Sequence, residues 1–285
     1  MQCKAYAKIN LYLDVTGKRP DGYHELVSVM QSVSLADTLT FSRTEGKGIA
    51  LSTDCALPTD ENNLICHAAN AYFARTGKPF GLSVKLEKKI PMQAGLGGGS
   101  ADAAATLKAL NQMDGNLFSI QELCEIGATV GADVPFCIVG GTQLCRGIGE
   151  VMESVQNRLT GTLVIAIGKE GVSTPAAFKE LDHKYDNFKQ GGRKACPTEL
   201  LAAMQAGDMT AAAPHFENLF EEVICPVRPF VKEIKDLMLK DGAVAAMMSG
   251  SGPSVWGLFE SEQQAQTAQK KLQAIGAKAF VCHFI

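Results

Sequence analysis

The chain contains no Cys-x-x-Cys pair, no apolar run of membrane length and no excess of basic charge. Each absence closes off a class of function. Its nine cysteines stand singly at positions 3, 55, 66, 124, 137, 145, 196, 225 and 282. An odd count without paired spacing indicates neither a zinc site nor a disulfide framework, so the thiols read as free in a reducing compartment. No stretch approaches the roughly 18 apolar residues that a membrane helix needs. The formal net charge of -3 offers no basic surface to a nucleic-acid backbone or an anionic membrane. Any site for a polyanion must then be local, built from backbone amides and one or two lysines. Residues 1–8 lack the apolar core of a signal peptide and the Arg/Ser richness of a transit peptide, which predicts a cytoplasmic, bacterial protein.

What is present is an ordinary globular composition: 285 residues, 46% hydrophobic and 20% charged, enough for one large domain or two of usual size. Residues 4–15 alternate, with Ile9, Leu11 and Leu13 on one face and Lys8, Asn10 and Tyr12 on the other, and so predict a strand. Arg19-Pro20-Asp21-Gly22 is a turn signature, followed by Tyr23-His24. Further strands are predicted at 37–43, 82–86, 135–147 and 162–168, and helices at 64–75, from Ser100 or Ala101 onward, and at 119–130. Helical pattern dominates 173–240, interrupted by the polar run 183–194, which reads as a mobile loop suited to a lid or to plain solvent exposure. From 230 the order is helix (230–240), strand (243–248), strand (254–259), helix (261–275), strand (277–284), the pattern of an α+β half of ferredoxin-like type. A soft boundary falls near 155–175, dividing the chain into 1–160 and 161–285. No internal repeat is present.

The segment with the most chemistry is Gly95-Leu96-Gly97-Gly98-Gly99-Ser100, between the strand at 82–86 and an Ala-rich helix. Glycines at 95, 97, 98 and 99 permit left-handed backbone angles and remove side chains that would hold a ligand away. The following helix turns its unpaired amides and positive dipole end to the same spot, which makes an anion cradle suited to a polyphosphate. It is not a Walker loop, because no Lys follows the glycines, and not a dinucleotide fingerprint, because its last position is Ser100.

With Pro91 ahead of it and Ala101 behind it, this segment resembles the signature of the GHMP small-molecule kinases, Pro-x3-Gly-Leu-Gly-x-Gly-Ser-Ala/Ser. The late glycine hairpin Met248-Ser249-Gly250-Ser251-Gly252-Pro253-Ser254-Val255 resembles a second hallmark of that family. Three further blocks are similar to the branch whose acceptor carries a cytidyl diphosphate. They are Ala7-Lys8-Ile9-Asn10-Leu11-Tyr12-Leu13, the run from Gly17 through Pro20-Asp21-Gly22-Tyr23-His24 to Leu26, and Gly131-Ala132-Asp133-Val134-Pro135-Phe136. The resemblance implies an α+β, two-lobed GHMP kinase fold, with an N-terminal lobe like ribosomal protein S5, a C-terminal ferredoxin-like lobe, and ATP bound between them. It implies ATP-dependent phosphorylation of the 2-hydroxyl of a cytidyl-diphosphate-linked methylerythritol, giving the 2-phosphate and ADP, on the non-mevalonate route to isoprenoid precursors.

On pattern alone Asp133 reads as a turn aspartate and Lys8 as a solvated strand lysine. By resemblance Asp133 is the general base that takes the acceptor's proton and Lys8 its catalytic partner, with Asn10 positioning substrate or phosphate. Tyr23 and His24 alone fit a packed ring and a surface histidine; by resemblance they hold the cytidine, with Phe178 as a second stacking ring. Pro91, Gly95, Leu96, Gly97, Gly98, Gly99, Ser100 and Ala101 form the ATP loop, and Asn63 and Lys88 are weaker nucleotide candidates, since Asn before a helix is commonly an N-cap. Mg2+ is the implied metal and Ser100 its best protein oxygen; the helix Glu that several relatives use is not found here, so phosphates and water carry most of its coordination. Asp102, in place of a neutral residue, would repel phosphates if it faced them, and is expected to face away. The expected partner is the small cytidyl substrate, with no nucleic acid and no membrane, in a monomer or weak homodimer. Two rivals stay open: another GHMP kinase, which the 20–24 block argues against, and a non-catalytic nucleotide-binding regulator, which the Lys8 and Asp133 pair argues against.

Overall fold

A computed structural model describes residues 1–168, 170–188 and 195–285. In chain order the elements are β1 (Gln2–Lys18), β2 (His24–Thr44), β3 (Gly48–Thr53), α1 (Leu64–Thr76), β4 (Gly81–Glu87), α2 (Gly98–Met113), α3 (Ile120–Ala128), α4 (Val134–Val139), β5 (Thr142–Gly147), β6 (Val151–Ser154) and β7 (Thr162–Ile167). They continue as α5 (Thr174–Lys184), α6 (Thr198–Ala206), α7 (Met209–Ala212), β8 (Glu217–Asn218), α8 (Glu221–Ile224), α9 (Pro229–Lys240), β9 (Ala245–Met248), β10 (Val255–Phe259), α10 (Glu262–Ala274) and β11 (Lys278–Cys282). This is an α+β fold, as the family resemblance implies. No helix among the described residues is long and apolar enough to cross a membrane.

The chain forms two compact units whose division falls inside β1 and β2. The first comprises residues 1–8, 35–91 and 97–140; the second comprises 9–34, 92–96 and 141–285.

In the first unit β3 pairs parallel with β4, and β4 pairs antiparallel with the second half of β2. The inward residues of these strands, Leu39, Phe41, Leu82, Val84 and Leu86, are buried along with Ile65, Tyr72 and Leu107 of the helices. Helix α1 starts at its N-cap Asn63, whose side chain accepts from the Ile65 amide, and ends on Gly77 in the left-handed region. Helix α3 opens with a capping box between Ser119 and Glu122.

In the second unit the first half of β2 pairs with β5, β5 with β6, and two residues of β1 with β8. A separate antiparallel sheet has the order β11-β7-β10-β9. Taken as a strand–helix–strand–strand–helix–strand unit, that order is fourth-first-third-second, which is the ferredoxin-like arrangement expected of this half. Its core includes Val164, Ala166, Ile234, Met238, Val255, Phe259, Ala268 and Leu272.

Three expectations need correction. The strand expected at 135–147 is two elements: residues 134–139 are helical as α4, and only 142–147 form a strand. Six apolar residues in a row fit a buried strand or a short buried helix equally, and Pro135 in the first turn was the signal for the helix. Helix α2 begins at Gly98, earlier than Ser100, so two of the loop glycines belong to its first turn. The polar run at 183–194 is no loop at its start, since α5 reaches Lys184 and a 3-10 turn spans Asp186–Phe188; its remainder, 189–194 with both glycines, lies outside the described residues.

Candidate active site

Within the second unit the first part of the glycine segment is held by the late hairpin. Ser254 donates its hydroxyl to the Ala94 carbonyl at 2.5 Å, and Ser249 donates to the Gly95 carbonyl at 3.0 Å. Gly95 has φ +74, and a Cβ there would overlap the Ser249 carbonyl oxygen. The residue must therefore be glycine for both backbone angle and space. Ala94 and Leu96 are buried. The two sequence hallmarks, far apart in the chain, are thus one packed structure.

Within the first unit the segment continues as the start of α2. Gly97 is its N-cap at φ +66 and has no side chain to cap the helix. The amides of the first turn have no intrahelical acceptors, so this end presents donors and positive dipole charge. The aliphatic stem of Lys8 runs beneath Gly97, where a Cβ would lie 2.9 Å from its Cγ. The Lys8 ammonium meets Asp133 Oδ2 at 3.6 Å, with the lysine side chain 6% exposed and the aspartate 34%. Asp133 occupies the N-cap of α4, a position where aspartate is favoured for capping, yet its side chain makes no capping hydrogen bond. Its carboxylate is directed to the lysine instead. Ser100 lies near the same turn: its Oγ is 3.9 Å from the point where a Gly131 Cβ would be. Lys8, Asp133, Gly97 and Ser100 are thereby gathered in one place.

The weaker nucleotide candidates have structural partners. Asn63 caps α1 and donates its amide to the Pro58 carbonyl at 2.8 Å. Lys88 is 8% exposed and its ammonium lies between Asp37 Oδ2 and Asp102 Oδ2, the latter at 2.8 Å. It also sits under α2, 3.1 Å from where a Gly98 Cβ would be. Asp102 turns inward to this lysine. Burial lowers the Lys88 pKa, but the charges of Asp102 and Asp37 outweigh it and leave the ammonium more firmly protonated. Asp37 also accepts from the Lys89 and Ile90 amides at 2.5 and 2.8 Å, which fastens the connector leading to the glycine segment.

Sequence reasoning missed Asp37, and it missed Lys108. The latter, on α2, donates to the Cys137 and Ile138 carbonyls at 3.1 and 3.4 Å at the end of α4. It ties the helix behind the glycines to the helix that Asp133 heads, a common use of a basic side chain at a helix C-terminus. Cys137, next to this cluster, is half-buried, and burial together with the nearby Asp133 charge pushes its thiol up to about 12. No group of three or more His, Cys, Asp or Glu suited to a metal ion exists among the described residues.

The residues assigned to the acceptor lie in the second unit. Tyr23 is 60% exposed and directly precedes β2. His24 is buried, with its ring stacked on Phe178 at 4.5 Å between centroids and 21° between planes. Its Nε2 is 2.7 Å from Asp182 Oδ1. Asn10 is deeply buried; its side-chain amide donates to Ser28 Oγ at 2.7 Å and its backbone carbonyl accepts from the Trp256 indole at 3.0 Å. So Phe178 packs directly on His24, while Asn10 braces the strand beneath the late hairpin.

Comparison with known proteins fits this arrangement. Residues 63–141 match the family described as GHMP kinases N terminal domain, and residues 200–278 match GHMP kinases C terminal. A protein of Thermoanaerobacter pseudethanolicus named 4-diphosphocytidyl-2-C-methyl-D-erythritol kinase is 40% identical, covering 98% of this chain and 94% of its own. One of Alkaliphilus metalliredigens with the same name is 38% identical over 96% of this chain and 93% of its own. The crystal structure of a 4-(cytidine 5'-diphospho)-2C-methyl-D-erythritol kinase superposes with a TM-score of 0.85 at 32% identity, covering 100% of this chain and 99% of that one. A homoserine kinase from Cytophaga hutchinsonii, at 21% identity and a TM-score of 0.73, shares the fold.

Proposed function

This chain belongs to the GHMP kinase family, and on that premise we propose that it transfers the terminal phosphoryl group of ATP to the 2-hydroxyl of 4-diphosphocytidyl-2-C-methyl-D-erythritol, giving the 2-phosphate and ADP. The observation that carries the chemistry is the Asp133 carboxylate, left uncapped at a helix start and set 3.6 Å from the Lys8 ammonium. The acceptor's identity is supported by the name its full-length relatives carry.

In this reading the first-turn amides of α2 hold the triphosphate by the hydrogen bonds and dipole of a helix start. Asp133 accepts the proton of the attacking hydroxyl, and Lys8 orients that carboxylate and offsets charge as the alkoxide develops. Phosphoryl transfer asks little covalent chemistry of a protein, so position and charge are what these residues supply. Mg2+ accompanies the nucleotide in this proposal and neutralises phosphate charge. The donor set suits an ion held mostly by phosphate and water, with Ser100 as a protein oxygen, because no carboxylate cluster stands among the described residues. Lys88, paired with two carboxylates, contributes by supporting the start of α2 and Asn63 by starting α1. Tyr23 and His24 hold the cytosine, with Phe178 behind the histidine. A cytoplasmic location belongs to the same proposal.

The deciding experiment is ADP release from ATP and Mg2+ with a panel of acceptors. The diphosphocytidyl compound should be turned over, while methylerythritol 4-phosphate, homoserine and mevalonate should give background rates. Turnover of one of the last two at a higher kcat/KM would replace this reading with another small-molecule kinase.

A further inference from the structure

His24 is fixed on several sides at once. Phe178 stacks on one face, Phe188 meets it edge-on at 6.0 Å and 74°, and Phe178 itself is braced edge-on by Phe220 at 4.9 Å. Phe178 and Asp182 are four residues apart on α5, so they present one face of the helix to the histidine. Asp182 takes His24 Nε2 on one oxygen at 2.7 Å and the Lys18 ammonium on the other at 2.5 Å. Among the described residues, the contact with Asp182 is the one hydrogen bond the His24 ring makes.

An ionised carboxylate can only accept, so its partner nitrogen must carry hydrogen. Burial works to raise the Asp182 pKa, but the hydrogen bonds from His24 and Lys18 outweigh it and hold the carboxyl below its usual range. A neutral imidazole has one N–H, and with that hydrogen on Nε2 the other nitrogen, Nδ1, is an acceptor. At position 4 of the ring the two pyrimidines are opposite: cytosine presents an amino donor where uracil presents a carbonyl acceptor. A fixed acceptor at the base edge favours the first and opposes the second.

We infer that Asp182 is a specificity-determining residue, which holds His24 in the Nε2–H tautomer so that Nδ1 accepts from the amino group of cytosine and rejects uracil-bearing acceptors. Asp182 is a positioning residue and touches no substrate. The inference rests on the proposed cytidyl acceptor and adds how that base is chosen. Lys18 shares the carboxylate from the other side of the turn at 19–22, so a purely structural clamp between Asp182 and that turn is the competing role.

The test compares wild type with Asp182→Asn, Asp182→Ala and Lys18→Met, using the cytidyl diphosphate acceptor and its uridyl analogue at saturating ATP. Asparagine keeps the size but can donate to Nε2 as readily as accept from it, which releases the tautomer. Both Asp182 variants should raise the cytidyl acceptor's KM at least tenfold and lower the cytidyl-over-uridyl ratio of kcat/KM at least tenfold, with the ATP KM within twofold of wild type. Lys18→Met, which breaks the clamp but leaves the histidine contact, should keep the wild-type ratio. Nitrogen-15 spectra of the His24 ring, assigned with His24→Gln, should give the Nε2–H form in wild type and a mixture in Asp182→Asn. An unchanged ratio in both Asp182 variants, or an equal loss of ratio in Lys18→Met, overturns the inference. So does an Nδ1–H signal in wild type, a readout that needs no substrate. If wild type fails to phosphorylate the cytidyl acceptor at all, the proposed function fails first, and the ring spectra still decide the tautomer.

Discussion

Asp133 heads helix α4 without capping it, and its carboxylate lies 3.6 Å from the ammonium of Lys8, whose stem passes under Gly97. The lysine is nearly buried and the aspartate is one-third exposed. The carboxylate can therefore be reached by an acceptor while the ammonium stays fixed behind it. Truncation to Asp133→Ala should reduce kcat by about 10²–10⁴, the range for losing a positioned general base. The ATP KM should stay within a few-fold, because the base acts on the acceptor hydroxyl. Near-normal turnover in this variant would remove Asp133 from the mechanism.

Tyr23 is exposed at 60% beside a histidine that is fully packed, so its ring is free to lie against a base. Tyr23→Ala should weaken binding of the cytidyl acceptor by about 1–3 kcal/mol, the scale of one base–aromatic stack. Isothermal titration with an unreactive ATP analogue present measures this directly. An unaltered affinity would assign the base contact elsewhere.

Gly95 is where the late hairpin and the glycine segment touch. A left-handed angle costs an ordinary residue about 1–2 kcal/mol, and the Ser249 carbonyl leaves no room for a Cβ. Gly95→Ala should therefore lower the melting temperature and raise the ATP KM together. Ser249→Ala, which removes the hydrogen bond to the Gly95 carbonyl and the acceptor of the Asn10 backbone amide, should cost less, about 1 kcal/mol for each bond. Equal effects from the two changes would mean that backbone crowding at Gly95 is not the constraint.

Asp102 supplies a pH signature. Burial pushes its carboxyl from 3.8 up to about 7; Lys88 pulls it back and the charge of Asp37 raises it again. The folded protein then holds this proton more tightly than the unfolded chain does. Its contribution to stability is full below 3.8 and is lost as the pH rises through about 7. Asp102→Asn has no such proton to lose, so its melting temperature should gain on that of wild type between pH 5 and pH 8. A constant difference across that range would show that Asp102 is ionised in the folded protein throughout.

Much of this molecule was readable before its structure. The strand at 82–86, the helix after Asn63 and the closing β9-β10-α10-β11 sequence all follow from periodicity and caps. The first half of β2 and residues 134–139 did not follow from periodicity, and for one cause. In β2 both faces are buried over much of its length, so its first half shows no alternation, and in 134–139 a short apolar run hid a helix. The site divides in a similar way. Glycine, serine and proline mark a phosphate-loop pattern within a dozen residues of chain, which a sequence reveals directly. The roles of Asp37 and Asp182 depend on partners 51 and 158 residues away, and no local pattern announces such contacts. Lys8 and Asp133 were reached through family resemblance, because their spacing in the chain carries no sign that they meet.

The chain has a single tryptophan, Trp256, and it is fully buried in β10 with its indole bonded to the Asn10 carbonyl and the Phe216 ring edge-on at 5.0 Å. All of its tryptophan emission therefore comes from one dry location. The wavelength of that light reports on the strand that carries Asn10 and on the hairpin that clasps Gly95. The protein brings its own optical gauge of the second unit, and unfolding there can be followed without a label.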